Sequence, residues 1–195
     1  MLLILLGCTP TCEDDQINDP ITGDCVELWS DPSTPEEALA ALPDCSALPG
    51  GNRIDLVQGC VDGACVGMRL GEIEADLGDA ECDSNAFEDD LIGCEWDWGV
   101  LALFHGEDGS LPSDATATTV AAKDDFDGAD PDGLGLGISL NCYLDTLGEP
   151  DDIDYTETDA GLSPWYTRWD GVGAFTDFFG SNYGEVTSLY LHGMD

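Results

Sequence analysis

The sequence predicts an α+β fold: a tandem repeat of a helix followed by an antiparallel β-meander, the two copies together forming a concave sheet. Three observations carry this expectation. A short amphipathic segment, "GMRLGEIEADLG" at residues 67–78, returns as "GISLNCYLDTLG" at 137–148. Each copy is followed by a polar loop and then by three stretches of strand-like text. A chain of 195 residues with 43% hydrophobic residues is large enough for a packed core, yet one copy alone buries little, so two copies side by side is the economical arrangement.

Taken in chain order, "MLLILLGC" opens with an apolar run, Met1 to Leu6, far too short to span a bilayer. Leu5, Leu6, Gly7 and Cys8 resemble a bacterial lipobox position by position, which implies a lipidated Cys8 as mature N-terminus and a place in the cell envelope, as an outer-membrane lipoprotein facing periplasm or cell surface. The run lacks a preceding Lys or Arg and is shorter than a usual signal core, so a truncated ordinary signal peptide is the competing reading. Residues 9–59 are rich in Pro, Asp, Thr and Ser and read as a tether. Within it a short helix is expected at Pro35 to Leu42, capped by Ser33 or Thr34, with Pro35 in the first turn and Glu36 and Glu37 at the positive end of the helix dipole.

The first α/β unit spans 60–123, an acidic linker 124–136, and the second unit 137–195. Leu70, Ile73 and Leu77 in the first helix match Leu140, Tyr143 and Leu147 in the second and place one apolar stripe on each. Gly78 and Gly148 suit left-handed C-terminal caps, and Pro150 blocks continuation of the second helix. Ser139 is a natural N-cap; Arg69, its counterpart, is a poor one. Strands are expected at Leu91–Trp98, Val100–Gly106 and Ala115–Lys123, then at Pro164–Asp170, Gly173–Phe179 and Glu185–His192.

Nine cysteines become an even eight once Cys8 takes lipid, enough for four disulfides in an oxidising compartment. Metal binding is the weaker alternative, since no C-x2-C pair occurs and histidines number two. Cys60 and Cys65 form a plausible local pair.

"GMRLGEIEADLG", then Cys82 and Cys94, then aromatic strands, resembles the repeat of the β-lactamase inhibitor protein family. It is more distantly similar to the small lipoprotein of the outer-membrane β-barrel assembly machinery. The resemblance covers Val66 to Asp195 and implies a Cys82–Cys94 disulfide, a concave binding sheet and a binding protein rather than an enzyme. The second copy lacks a cysteine after Gly148, so its loop "EPDDIDYTETDAGLS" is unpinned and Cys142 needs a distant partner, for which the tether is the candidate. With Cys60–Cys65 and Cys82–Cys94 paired, Cys12, Cys25, Cys45 and Cys142 remain, with three possible pairings. Carried over, the resemblance makes Trp96, Trp98, Trp165 and Trp169 partner-binding residues, alternating onto one face of each strand. The same tryptophans equally suit a core under the helices.

Asp and Glu number 42 against 4 Lys and Arg, a formal net charge of −38, which excludes nucleic acid as a partner at moderate salt; spread along the whole chain, the acids read first as a solvating surface suited to a salty environment, and the functional alternative is a lure for basic proteins or divalent cations. "DDFDGADPDG" spaces Asp125, Asp127, Asp130 and Asp132 between turn-permitting glycines, a candidate calcium loop without the EF-hand pattern. No nucleophile, zinc-protease or phosphate-loop motif occurs, and His105 reads as a strand-end residue. The expectation is a lipid-anchored protein-binding module; the alternative is a structural or cation-binding envelope lipoprotein.

Overall fold

The computed structural model describes residues 16–18, 25–27, 32–83, 90–123, 126–158, 161–176 and 184–193. Its elements run β1 (Gln16–Asn18), β2 (Cys25–Glu27), α1 (Pro35–Ala40), β3 (Ile54–Asp55), β4 (Cys60–Val61), β5 (Ala64–Cys65), α2 (Leu70–Leu77), β6 (Glu81–Asp83), β7 (Leu91–Trp96), β8 (Val100–His105) and β9 (Ala117–Lys123). They continue with α3 (Leu140–Leu147), β10 (Asp152–Thr158), β11 (Gly161–Trp169), β12 (Val172–Thr176) and β13 (Val186–His192). The class is α+β, with eight strands in one sheet of order β10-β11-β12-β13-β9-β8-β7-β6, every pairing in it antiparallel. Two meanders, β6 to β9 and β10 to β13, meet where β9 pairs with β13, Ala121 opposite Tyr190. β1 pairs with β2, and β3 to β5 form a small sheet of their own.

The helices start and stop as their end residues dictate. Thr34 Oγ1 accepts from Glu37 N at 3.3 Å, and the Glu37 carboxylate accepts from Ser33 N and Thr34 N at 2.9 and 3.2 Å, a capping box that satisfies donors at the head of α1. These bonds, the one from Ser33 N foremost, hold the Glu37 carboxyl below its ordinary range. Ser139 Oγ accepts from Asn141 N at the head of α3, whereas Arg69 offers no acceptor and α2 relies on Glu72, whose carboxylate takes Arg69 N at 2.8 Å. Gly78 and Gly148 stand at φ 88° and 82° and end their helices by donating to Glu74 O and Leu144 O.

The lead-in to each helix is tied to the last strand of its meander in the same way. Gly67 N donates to Ala117 O and Ala117 N to Met68 O; Gly137 N donates to Val186 O and Val186 N to Ile138 O, all at 2.8 Å. These bonds set α2 and α3 over one face of the sheet.

That face holds the main core. Val100, Ala102 and Phe104 of β8 pack there with Ile73, Leu140, Tyr143, Trp96 and Trp169, while Leu101 and Leu103 point the other way and bury with Ala121 against Tyr190. Burial on both faces explains why β8 is an unbroken apolar run rather than an alternating one. Leu39 and Leu42, at the end of α1, join the main core, so all three described helices lie on its side.

The structure departs from the sequence expectations in three places. β6 and β10 form from text that reads as loop, because an edge strand tolerates charge on its exposed positions. β7 ends at Trp96, not Trp98: the chain turns at Asp97–Gly99, where Gly99 has φ +83° and a side chain would come within 2.1 Å of Lys123 O. The stretch expected as a tether is, from 47 to 54, fastened to the acidic linker. Leu48 N donates to Gly133 O, Gly51 N to Asp130 O and Ile54 N to Ala129 O, and Ile54 is buried.

Cys45 bonds Cys142, fixing this segment across 97 residues to a buried position on α3. Cys60–Cys65 and Cys82–Cys94 each join directly opposed residues of neighbouring strands. A disulfide constrains the unfolded chain in proportion to the logarithm of the loop it closes. Replacing Cys45 and Cys142 by Ala is therefore expected to cost about 4 to 5 kcal/mol, and replacing Cys60 and Cys65 only about 2 kcal/mol. Denaturant unfolding of the two double variants measures the order; equal losses would contradict it.

Candidate functional site

Whether a tryptophan belongs to a surface or a core depends on which side of the sheet its strand presents it. Trp96 and Trp169 fall on the helix side and are 4% and 6% exposed. Each indole Nε1 donates to the carbonyl of the glycine that ends the overlying helix: Trp96 to Gly78 O at 2.8 Å, Trp169 to Gly148 O at 3.0 Å. Trp169 also stacks on Tyr143, whose phenol donates to Gly135 O at 2.9 Å. Burial, and secondarily the nearby Asp130, push the Tyr143 phenol well above its ordinary range, so it stays a donor. The expectation that Trp96 and Trp169 grip a partner is thus corrected: the helix ends claim them. Trp98, in the β7–β8 turn, and Trp165 on β11 are 37% and 38% exposed.

The opposite parity on β11 faces the open side of the sheet. Tyr166 and Arg168 stand there, and the register continues from Arg168 to Gly173, Tyr190, Ala121, Leu101 and Glu95. Lys123 Nζ donates to Glu95 Oε1 at 2.7 Å, and Arg168 lies 3.7 Å from Asp152. His192 stacks on Tyr190, ring centroids 6.3 Å apart, and its Nδ1 lies 3.1 Å from Thr119 Oγ1. At the end of this face a cleft of about 700 Å³ is lined by Asp151, Tyr166, Arg168, Asp170 and His192, among others. A second hollow, sharing Asp170 and His192, continues to Leu56, Val57 and Val66. The second hollow adds apolar side chains, and the first is lined mainly by polar ones. Its acids outnumber its fixed cations, so it favours a positively charged group.

Tyr166, Arg168 and Tyr190 escape the sequence reading. The alternation on "PWYTRWD" leaves Tyr166 and Arg168 on the side opposite Thr167 and Trp169, which are buried, while Trp165 falls where the β10–β11 register shifts and stays exposed.

The calcium expectation fares differently at each residue. Asp125 lies outside the described residues. Asp127 is turned to Arg53, which also pairs with Asp62 through Nε at 3.0 Å and lies over the Phe126 ring, 4.7 Å from Arg Cζ to centroid. The Asp62 hydrogen bond raises the Arg53 guanidinium above its ordinary range. Asp130 is buried, its Oδ1 accepting from Asp132 N and Leu134 N at 2.9 and 2.8 Å, a turn-stabilising role. Asp127, Asp130 and Asp132 are not gathered, and among the described residues no three metal-ligating side chains group together. His105 ends β8 and lies 3.6 Å from Asp90 on the surface. Cys60, Cys65, Cys82 and Cys94 are disulfide-bonded as expected, and Cys142 has Cys45, in the segment between α1 and β3. Cys8 lies outside the described residues.

No family model and no curated protein matches the chain. Among solved structures it is similar to a cysteine-rich secretory protein from Staphylococcus aureus, with 11% identity, a TM-score of 0.41 and coverage of 75% of this chain. The chain spans half the length of that protein's chain.

Two predictions follow from the two faces. Trp96→Phe or Trp169→Phe removes part of a buried ring and its bond to the helix end and is expected to lose about 1 to 3 kcal/mol, whereas Trp98→Phe should stay within about 0.5 kcal/mol of the parent. Denaturant midpoints check this. His192 is held below its ordinary value by burial first and by Arg168 second. The folded state therefore binds fewer protons, and the stabilisation is present above about 6.5 and lost as pH falls through the folded value. Stability of His192→Gln should decline less than that of the parent over this window; parallel curves would contradict the assignment.

Proposed function

We propose that the chain is a lipid-anchored extracytoplasmic binding protein, built as a tandem repeat of the β-lactamase inhibitor protein type, that recognises a protein partner with the open face of its sheet. Support for the repeat comes from paired details: the lead-in bonds at Gly67 and Gly137, and the indole bonds to Gly78 and Gly148. The observation that carries the binding reading is the division of the sheet. One face lies under the helices, and the other keeps Tyr166, Arg168, Tyr190 and His192 beside a cleft of about 700 Å³. Cross-braced strands hold these groups without the ordering cost a loop would incur. Disulfides at Cys45–Cys142, Cys60–Cys65 and Cys82–Cys94 accord with an oxidising compartment. Among the described residues no helix is long and apolar enough to cross a membrane, and the anchor proposed is the lipid on Cys8.

With a formal charge of −38, the partner is expected to be basic, and its association to slow as salt rises. An association rate independent of salt would remove the steering. Residues 9–195 used as bait against envelope extracts should retain a protein that a Tyr166→Ala bait loses, with unchanged melting temperature in the variant. Equal retention by both baits would overturn the open-face assignment.

A further inference from the structure

We propose that β10 accepts an extended segment of the partner as an additional strand, and that this segment carries Lys or Arg at alternate positions. The inference rests on the protein-binding reading above and specifies the partner's chemistry and the manner of its docking.

The two ends of the sheet differ. β6, at one end, has three residues and is tied to β7 by Cys82–Cys94. β10, at the other, runs seven residues and has β11 as its one neighbour among the described strands. Among the described strands none pairs with the outer side of β10, and an edge of this length presents a row of backbone N–H and C=O groups to an extended chain.

Charge decides which chain can use it. The edge reads Asp152-Ile153-Asp154-Tyr155-Thr156-Glu157, with Glu149 and Asp151 just before it. A second copy pairing here would set carboxylates against carboxylates, and like charges directly opposed across strands destabilise. Self-addition is disfavoured for the same reason that addition of a basic strand is favoured. Residues i and i+2 lie about 6.8 Å apart on one face, so basic side chains at alternate positions meet Asp152 and Asp154 together. Arg168 already shares Asp152 at 3.7 Å, which leaves Asp154 as the principal acceptor. Asp154 stands opposite Tyr166, so the added strand would border the open face and extend it. Ile153 and Tyr155, on the other parity and half-buried, supply apolar contact for the residues in between.

The test uses the full chain and two synthetic peptides of identical composition: one alternating lysine with threonine, the other with its lysines blocked at one end. Amide hydrogen exchange of residues 152–158 is followed by NMR. The alternating peptide is expected to slow exchange along β10 and to bind about tenfold more tightly than the blocked isomer. Asp154→Asn should weaken it about two- to fivefold, the range for an exposed ion pair. Ile153→Pro, tolerated on an edge, should abolish the protection. Equal binding of both peptides without protection would reduce the effect to net charge and overturn the proposal, as would β10 amides already protected in the free protein. Peptide protection together with equal capture by the parent and the Tyr166→Ala bait would sustain the edge and remove the open face; capture lost by that bait without peptide protection would do the reverse.

Discussion

An indole N–H bonded to the carbonyl of a helix-ending glycine fixes each long helix to the sheet. The last carbonyls of a helix have no partner within it, and Trp96 and Trp169 are buried, so an indole N–H left unpaired there would be costly. Trp96 and Trp169 supply the donors for Gly78 and Gly148 from strands lying beneath. Gly78 and Gly148 also stand at positive φ, which turns the chain away from the helix and toward the sheet edge where β6 and β10 begin. The direction of each meander therefore follows from how its helix ends.

Once the helices are seated, the rest of the sheet has little freedom. β7 and β11 must face Trp96 and Trp169 inward, and the two-residue period assigns their neighbours a side up to the register shift at Trp165. Leu101, Leu103, Ala121 and Tyr190 become a second, smaller cluster on the far face, and Tyr166, Arg168 and His192 line its cleft. In a chain with only 4 Lys and Arg among 195 residues, this face carries Lys123 and Arg168, each beside a carboxylate, while Arg53 clamps Asp62 and Asp127. Cations here neutralise particular acids at points where strands and loops converge. The remaining carboxylates are left to repel anions and attract bases.

Much of this was legible in the amino acids. The helix pair, their glycine ends, the Ser139 cap and six of the main strands are encoded by local period and punctuation, which single residues report faithfully. The pairings Cys82–Cys94 and Cys60–Cys65 accord with the family resemblance and with proximity respectively. What was hidden depends on contacts between distant segments. Residues 47–54 look like a tether because their partners are the backbone of 129–134, which no side-chain pattern records. β10 looks like a loop because its acids sit on an edge. Period alone gives two faces to a strand but not the label of each, so Trp96 and Trp169 belong to the core and Tyr166 to the open face.

The assignment of the tryptophans to two different environments is the claim on which both the fold account and the open-face reading rest. Indole N–H exchange in the unmodified protein, followed by NMR with each tryptophan assigned, tests it directly. Trp96 and Trp169 should exchange slowly, at rates set by opening of the core, while Trp98 exchanges at a near solvent rate. Fast exchange at Trp96 and Trp169 would mean that the helix ends are not held by the strands beneath them, and that the faces of the sheet have been assigned the wrong way round.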